Sequence, residues 1–203
     1  MNQYDKSKSN EDFEIGKDIK NEDTKYCFAE AIKKLMKRES LEEITVKQIS
    51  DESGFSRQTF YRNFLDKYDL INWYFDKLLH ISFDQMGSGK TVYDGLVLKF
   101  NYIKKERVFF SVAFESDEQN NLKEHDFLMI YDFYINMLTK KNEEIPDENL
   151  KMLLEMYCWS SIYMTVKWVL DGMKMSPENL ALLMIDAMMP KLYEAFEKTG
   201  LLK

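Results

Sequence analysis

The residues with the clearest capacity for chemistry lie in one short stretch, Ser56-Arg57-Gln58-Thr59-Phe60-Tyr61-Arg62-Asn63-Phe64. Arg57 and Gln58 come near its start. An arginine can donate two parallel hydrogen bonds to guanine, and a glutamine can pair bidentately with adenine. Thr59, Tyr61, Arg62 and Asn63 carry donors that suit phosphate oxygens, and Ser56 has the hydroxyl of a helix cap. Phe60 and Phe64 stand four apart, so on a helix they share one face, opposite the polar one. Thr45, Lys47 and Lys67 flank the stretch. These types offer contact with a polyanionic duplex rather than bond-making.

No other cluster reaches a catalytic or metal-binding pattern. Gly87-Ser88-Gly89-Lys90-Thr91 contains Gly-Lys-Thr, but a phosphate-binding loop needs a glycine five positions before the Gly of that triplet. Asp84 stands there instead, and an aromatic helical segment, not a strand, precedes it. Glu124-His125-Asp126 are neighbours in sequence, so on a helix they point in different directions, and they read as a solvated face. Two histidines and two cysteines, Cys27 and Cys158, are too few for a four-cysteine zinc site or a disulfide framework. No catalytic residue, metal site or cofactor is expected, and no enzyme.

The elements that must position the polar stretch are short helices. From Thr24, read as an N-cap, apolar residues recur at Phe28, Ile32, Leu35 and Met36, the spacing of an amphipathic helix. Thr45-Val46-Lys47-Gln48 is a capping box that opens a second helix. Gly54 ends it, because glycine accepts the left-handed conformation of a tight exit. Ser56 caps a third helix. The second and third are barely two turns each and cannot stand alone; Val46, Ile49, Phe55, Phe60 and Phe64 must brace them against the first. Two short helices joined by a glycine turn form a helix-turn-helix, whose second helix presents its N-terminal residues to the major groove.

Taken together, Phe28-Ala29, Thr45-Val46-x-x-Ile49 and Gly54-Phe55-Ser56-x-x-Thr59-Phe60-Tyr61-x-x-Phe64-x-x-Lys67-x-x-Leu70 resemble the tetracycline-repressor (TetR) family of bacterial regulators. The resemblance runs from about Tyr26 to Leu70. Ser50 departs from the usual Ala, Phe55 from Val and Phe60 from Leu. The resemblance implies a homodimer that binds a palindromic operator in double-stranded DNA, each subunit with a three-helix head and a larger helical body that takes a small-molecule effector of unknown identity. It implies that Lys47, Arg57 and Tyr61 meet bases or groove, that Thr45, Thr59, Asn63 and Lys67 meet phosphates, and that Arg62 does either. Farther on, Phe100-Asn101-Tyr102-Ile103, Phe109-Phe110 and Asn120-Asn121-Leu122 resemble the TetR subgroup linked to dihydroxyacetone-kinase operons, some of whose members activate transcription with a protein co-activator. The sequence is therefore read as a transcriptional repressor released by a small molecule. The alternatives are such an activator or a helical protein-interaction module that leaves DNA alone.

Length and charge agree with this division. The chain has 203 residues and a net charge of −7. Residues 1–23 carry 4 basic and 7 acidic groups, 24–70 carry 9 and 8, and 71–203 carry 15 and 20. Only the middle segment escapes the acidic excess that repels a polyanion. The expected domains are a polar tail at 1–22, a helix-turn-helix domain at 23–70 and a ligand-binding and dimerisation domain at 71–203. No apolar run is long enough to span a membrane, and the polar N-terminus lacks a secretory pattern, so a cytoplasmic protein is expected.

Beyond Asp66 the helical period continues to Gly87-Ser88-Gly89, then over about 91–105, 107–115, 122–141, 147–171 and 177–198, with Pro190 expected to kink the last. No period-2 strand is found, so the fold is all-α. The 147–171 helix has two apolar stripes: Leu150, Leu153, Leu154, Tyr157, Cys158, Ile162, Thr165 and Val169 on one face, and Met152, Met156, Trp159, Tyr163, Val166 and Leu170 on the other. One suits the core. The other calls for a partner, here a second copy joined through the last two helices. Aromatic and methionine side chains are plentiful enough to line an effector cavity, but no residue is singled out for one.

Overall fold

The computed structural model describes residues 22–116, 121–142 and 146–202, and among them every regular element is helical. Residues 1–21 of the expected tail lie outside them. Helix α1 spans 22–35. It is followed by α2 (Val46–Ser53), α3 (Arg57–Asn63), α4 (Lys67–Gly87), α5 (Val92–Lys105), α6 (Arg107–Glu115), α7 (Leu122–Asn142), α8 (Glu148–Leu170), α9 (Pro177–Asp186) and α10 (Pro190–Lys198). The chain forms two compact units, Met1–Tyr74 and Phe75–Lys203.

In the first unit α1 to α3 are too short to persist alone, and an aromatic knot holds them together. Phe28 on α1 is fully buried. Its ring meets Phe60 edge-on at 5.2 Å, Phe64 edge-on at 6.3 Å and Phe55 at 5.6 Å. Such offset and edge contacts add to the area buried by each ring. Ile32, Leu41, Ile44, Ile49 and Leu70 complete the core. Two expectations change. Thr24 is not a cap, because the helix already runs at Glu22. Phe55 stays 37% exposed, so it covers the knot from outside.

In the second unit α8 packs on α6, α7 and α10, and α5 on α9. Thr91 caps α5 by a capping box with Asp94, so the Gly87–Thr91 stretch is a helix–helix turn. The single last helix expected over 177–198 is two. Pro190 occupies the first position of α10, where its missing N–H is no loss. Met189, extended, separates it from α9. The interruption breaks the helical phase between the two helices. Leu180 and Met184 are buried on α9, and Leu192 and Phe196 on α10, while Leu182 and Leu183 are each 49% exposed.

Candidate nucleic-acid interface

The turn between α2 and α3 is built from caps. Thr45 Oγ1 accepts from Gln48 N at 3.2 Å, and Gln48 Oε1 accepts from Thr45 N at 2.8 Å. Gly54 closes α2 with φ 77°, and a Cβ added there would meet nothing within 4 Å. Glycine is needed for its backbone angle, not for space. Ser56 Oγ then accepts from Thr59 N at 3.1 Å and opens α3. This geometry decides which α3 faces turn outward. Phe60 and Phe64 are buried. Ser56, Arg57, Gln58, Tyr61 and Arg62 are exposed, as are Thr45 and Lys47 at the head of α2. Tyr61 is the most open aromatic of the group at 59%.

The free N–H groups of two helix N-termini, at Val46 and Arg57, accompany this polar face, and such groups favour phosphate. Thr59 is half-buried. Its hydroxyl lies 3.0 Å from Ser56 Oγ and 3.4 Å from Arg62 Nη2, so the three are linked.

Two residues of the expected phosphate set are turned elsewhere. Lys67 Nζ donates to Leu41 O at 2.6 Å, Ile44 O at 2.8 Å and Glu42 O at 3.0 Å. All three ammonium protons hold the α1–α2 linker, which leaves no donor for a phosphate in this arrangement. Partial burial pulls the Lys67 pKa below the ordinary lysine value, with Glu42 and Asp66 opposing the shift. Asn63 is half-buried; its Nδ2 donates to Thr59 O at 2.8 Å, and its Oδ1 is buried without a partner. Its amide serves its own helix. Of the expected set, Thr45, Lys47, Ser56, Arg57, Gln58, Tyr61 and Arg62 are exposed and Thr59 is half-buried.

The body holds charged residues that the sequence reading placed in solvent. Asp126 is fully buried on α7, both oxygens 3.2 Å from Lys99 Nζ on α5. Desolvation raises the Asp126 pKa against the pull of Lys99. Its neighbour His125 meets Asp76 on α4, Nε2 to Oδ1 at 2.5 Å. A fourfold spacing gives the clue: Leu122, Asp126, Ile130, Tyr134 and Leu138 form one buried stripe. Among the described residues no cluster of three or more His, Cys, Asp or Glu could hold a metal ion, and no helix is long and apolar enough to cross a membrane.

A short three-helix unit whose third helix turns a polar face outward, followed by a larger helical unit, fits the class of helix-turn-helix transcription regulators. The comparisons give the same class. The family described as bacterial regulatory proteins, tetR family, matches residues 29–73, and the family described as transcriptional regulator C-terminal region (TetR_C_8) matches residues 90–190. The chain belongs to the TetR family, and is a DNA-binding transcription regulator. Among its relatives is the HTH-type dhaKLM operon transcriptional activator DhaS of Lactococcus lactis subsp. lactis (strain IL1403), 25% identical over 143 residues, which are 68% of each chain. A solved structure titled dihydroxyacetone kinase operon activator DhaS shares the fold, with TM-score 0.59 at 18% identity over 83% of this chain and 96% of that one.

Proposed function

We propose that the protein is a homodimeric, sequence-specific regulator that activates an operon of the dihydroxyacetone-kinase type. The observation that carries DNA reading is the split of α3. Arg57, Gln58, Tyr61 and Arg62 face outward while Phe60 and Phe64 anchor the helix from behind. Arg57 and Gln58 read base edges and Tyr61 packs in the groove; Thr45, Lys47, Ser56, Thr59 and Arg62 fix the register on phosphates. The names of both relatives favour activation over the repression expected from the family pattern.

The second copy covers α8. Leu154, Tyr157, Cys158, Ile162, Thr165 and Val169 are buried, whereas Met152, Met156, Trp159, Tyr163 and Leu170 are 40–66% exposed. Leu182 and Leu183 on α9 add to the open apolar surface. A patch of this kind on one helix face marks an interface, and a two-fold axis lets the same stripe meet itself. The two recognition helices then stand roughly 34–36 Å apart, one turn of duplex, on a palindromic operator. An effector shifts that spacing only through unequal affinity for two arrangements. The domains are taken as 23–70 for DNA and 71–203 for assembly and effector, in a cytoplasmic protein.

A gel shift followed by in vitro transcription tests this reading, using DNA upstream of the chain's own coding region and of dihydroxyacetone-kinase genes. A retarded band with more transcript supports it. A retarded band with less transcript restores the repressor reading, and no retardation of either fragment overturns DNA reading at these sites.

A further inference from the structure

The head of α2 is held by one side chain with two working ends. Gln48 Oε1 accepts from Thr45 N at 2.8 Å and from Thr45 Oγ1 at 2.7 Å, while Gln48 N donates to Thr45 Oγ1 at 3.2 Å. At the other end, Gln48 Nε2 donates to Glu39 Oε2 at 2.6 Å, on the bend that leaves α1. Two donors at the oxygen and a carboxylate at the nitrogen fix which way the amide points. The cap alone does not demand an amide, because a capping box accepts Glu as well as Gln at this position. Only the amide also offers a donor to Glu39, and a hydrogen bond to a carboxylate is of the stronger kind. Both residues are half-buried. The Thr45 hydroxyl proton and N–H are spent inside this bracket, so Thr45 acts on a duplex through the shape it gives the helix head.

We propose that Gln48 and Glu39 are positioning residues for DNA binding: their amide–carboxylate bridge ties the head of α2 to the end of α1 and so sets where Lys47 meets the duplex. This rests on the reading above that places Lys47 on the DNA face. Lys47 is the second residue of α2, between the two capping residues, and is exposed. With Thr45 and Gln48 fixed on either side, its backbone is fixed as well, and only its flexible side chain is left to adjust. The linker that carries this head is gripped again by Lys67, through the carbonyls of Leu41, Glu42 and Ile44. The segment from Glu39 to Gln48 is therefore tied at its two ends by the bridge and in between by the lysine.

Gel-shift titration of the full chain tests this, with a duplex that wild type selects from a random-sequence pool. Gln48→Glu keeps the cap but sets a carboxylate against Glu39, and should weaken binding about tenfold, the scale of one lost groove contact. Glu39→Gln removes a negative charge, so electrostatics alone would tighten binding. Loss of the charge-assisted bond should instead weaken it about threefold. The double change Glu39→Gln with Gln48→Glu rebuilds the bridge in reverse and should return binding to within about twofold of wild type. In a Lys47→Ala background the Gln48→Glu loss should disappear, and in an Arg57→Ala background it should persist. A role in folding alone would weaken both backgrounds alike. Circular dichroism reports whether each variant is folded, and Glu39→Gln, the mildest change, decides the matter should Gln48→Glu unfold. Glu39→Gln binding as tightly as wild type, a double change no better than Gln48→Glu, or a Gln48→Glu loss that survives Lys47→Ala would overturn the bridge and leave DNA binding in place. A wild-type chain that selects no duplex would overturn the DNA reading and the positioning role with it.

Discussion

Asp126 and Lys99 face each other inside the body, both carboxylate oxygens 3.2 Å from Nζ, with side chains 1% and 9% exposed. Such a pair adds little net stability over an apolar replacement, but removing one partner strands a charge. Lys99→Met should therefore cost about 3–5 kcal/mol in chemical denaturation at pH 7. Desolvation already raises the folded pKa of Asp126, and losing Lys99 raises it further. The folded state then holds its proton more tightly than the unfolded one, so the penalty should shrink as pH falls toward 5. The double change Lys99→Met with Asp126→Leu should recover most of the loss. A penalty that is independent of pH would refute the pairing.

His125 and Asp76 join α7 to α4 with the opposite pH sign. The hydrogen bond that the protonated His125 ring donates to Asp76 raises the His125 pKa above its ordinary value, and burial opposes it. A histidine with a raised folded pKa contributes stability that is full below the unfolded value near 6.5 and lost as pH climbs through the folded one. Asp76→Asn should then destabilise more at pH 6 than at pH 8.5, read from denaturation midpoints at both. Equal losses at the two values would show that the contact works without charge.

Much of this was legible in the sequence where local chemistry decides the structure. The capping box at Thr45, the glycine exit at Gly54 and the Ser56 cap rest on backbone rules that act within four residues. The exposed and buried faces of α8 mostly follow from its period, but Val166, expected on the outer stripe, is buried, and Leu150 and Leu153 of the inner stripe are only half-buried. What was missed depends on partners distant in sequence. Lys99 and Asp126 are 27 residues apart, Lys67 holds carbonyls 23 to 26 residues away, and His125 meets Asp76 49 residues back. Lys67 looked like a phosphate ligand because position and charge were visible and its acceptors were not. Asp126 was misread because three adjacent polar residues suggested solvent, although every fourth residue around it is apolar.

Lys67 and Arg57 should part company under mutation. Lys67→Ala frees three carbonyls, so it should cost about 2 kcal/mol of stability while leaving the salt dependence of operator binding unchanged. Arg57→Ala should leave the denaturation midpoint within about 0.5 kcal/mol, as an exposed substitution. It should weaken the operator by about 1–3 kcal/mol and relax preference at one base position. Denaturation curves beside gel shifts on single-base operator variants check both. A reduced salt slope in Lys67→Ala would return that lysine to the phosphate set.

Ser50 is 3% exposed and its hydroxyl is buried without a partner, on α2 directly behind the recognition turn. Ser50→Ala removes an unsatisfied oxygen and improves helix propensity. It should raise stability by about 1 kcal/mol, seen as a higher denaturation midpoint with DNA affinity unaltered. A lower midpoint would mean that the hydroxyl is satisfied in solution.

Met156 sits in the middle of the exposed α8 stripe at 57% exposure, with Met152 one turn before it and Trp159 and Tyr163 beyond. In a lone subunit, Met156→Asp places a carboxylate in water and should leave the fold intact. In a two-fold dimer through this face, the same change buries two carboxylates near the axis, facing each other. Desolvation and like-charge repulsion both oppose that arrangement. The variant should therefore run as a monomer on light scattering while keeping the wild-type helical signal, and its operator affinity should drop because one head alone reaches one half-site. A variant that stays dimeric would place the contact on another face, with the α9 leucines 182 and 183 next to be tested.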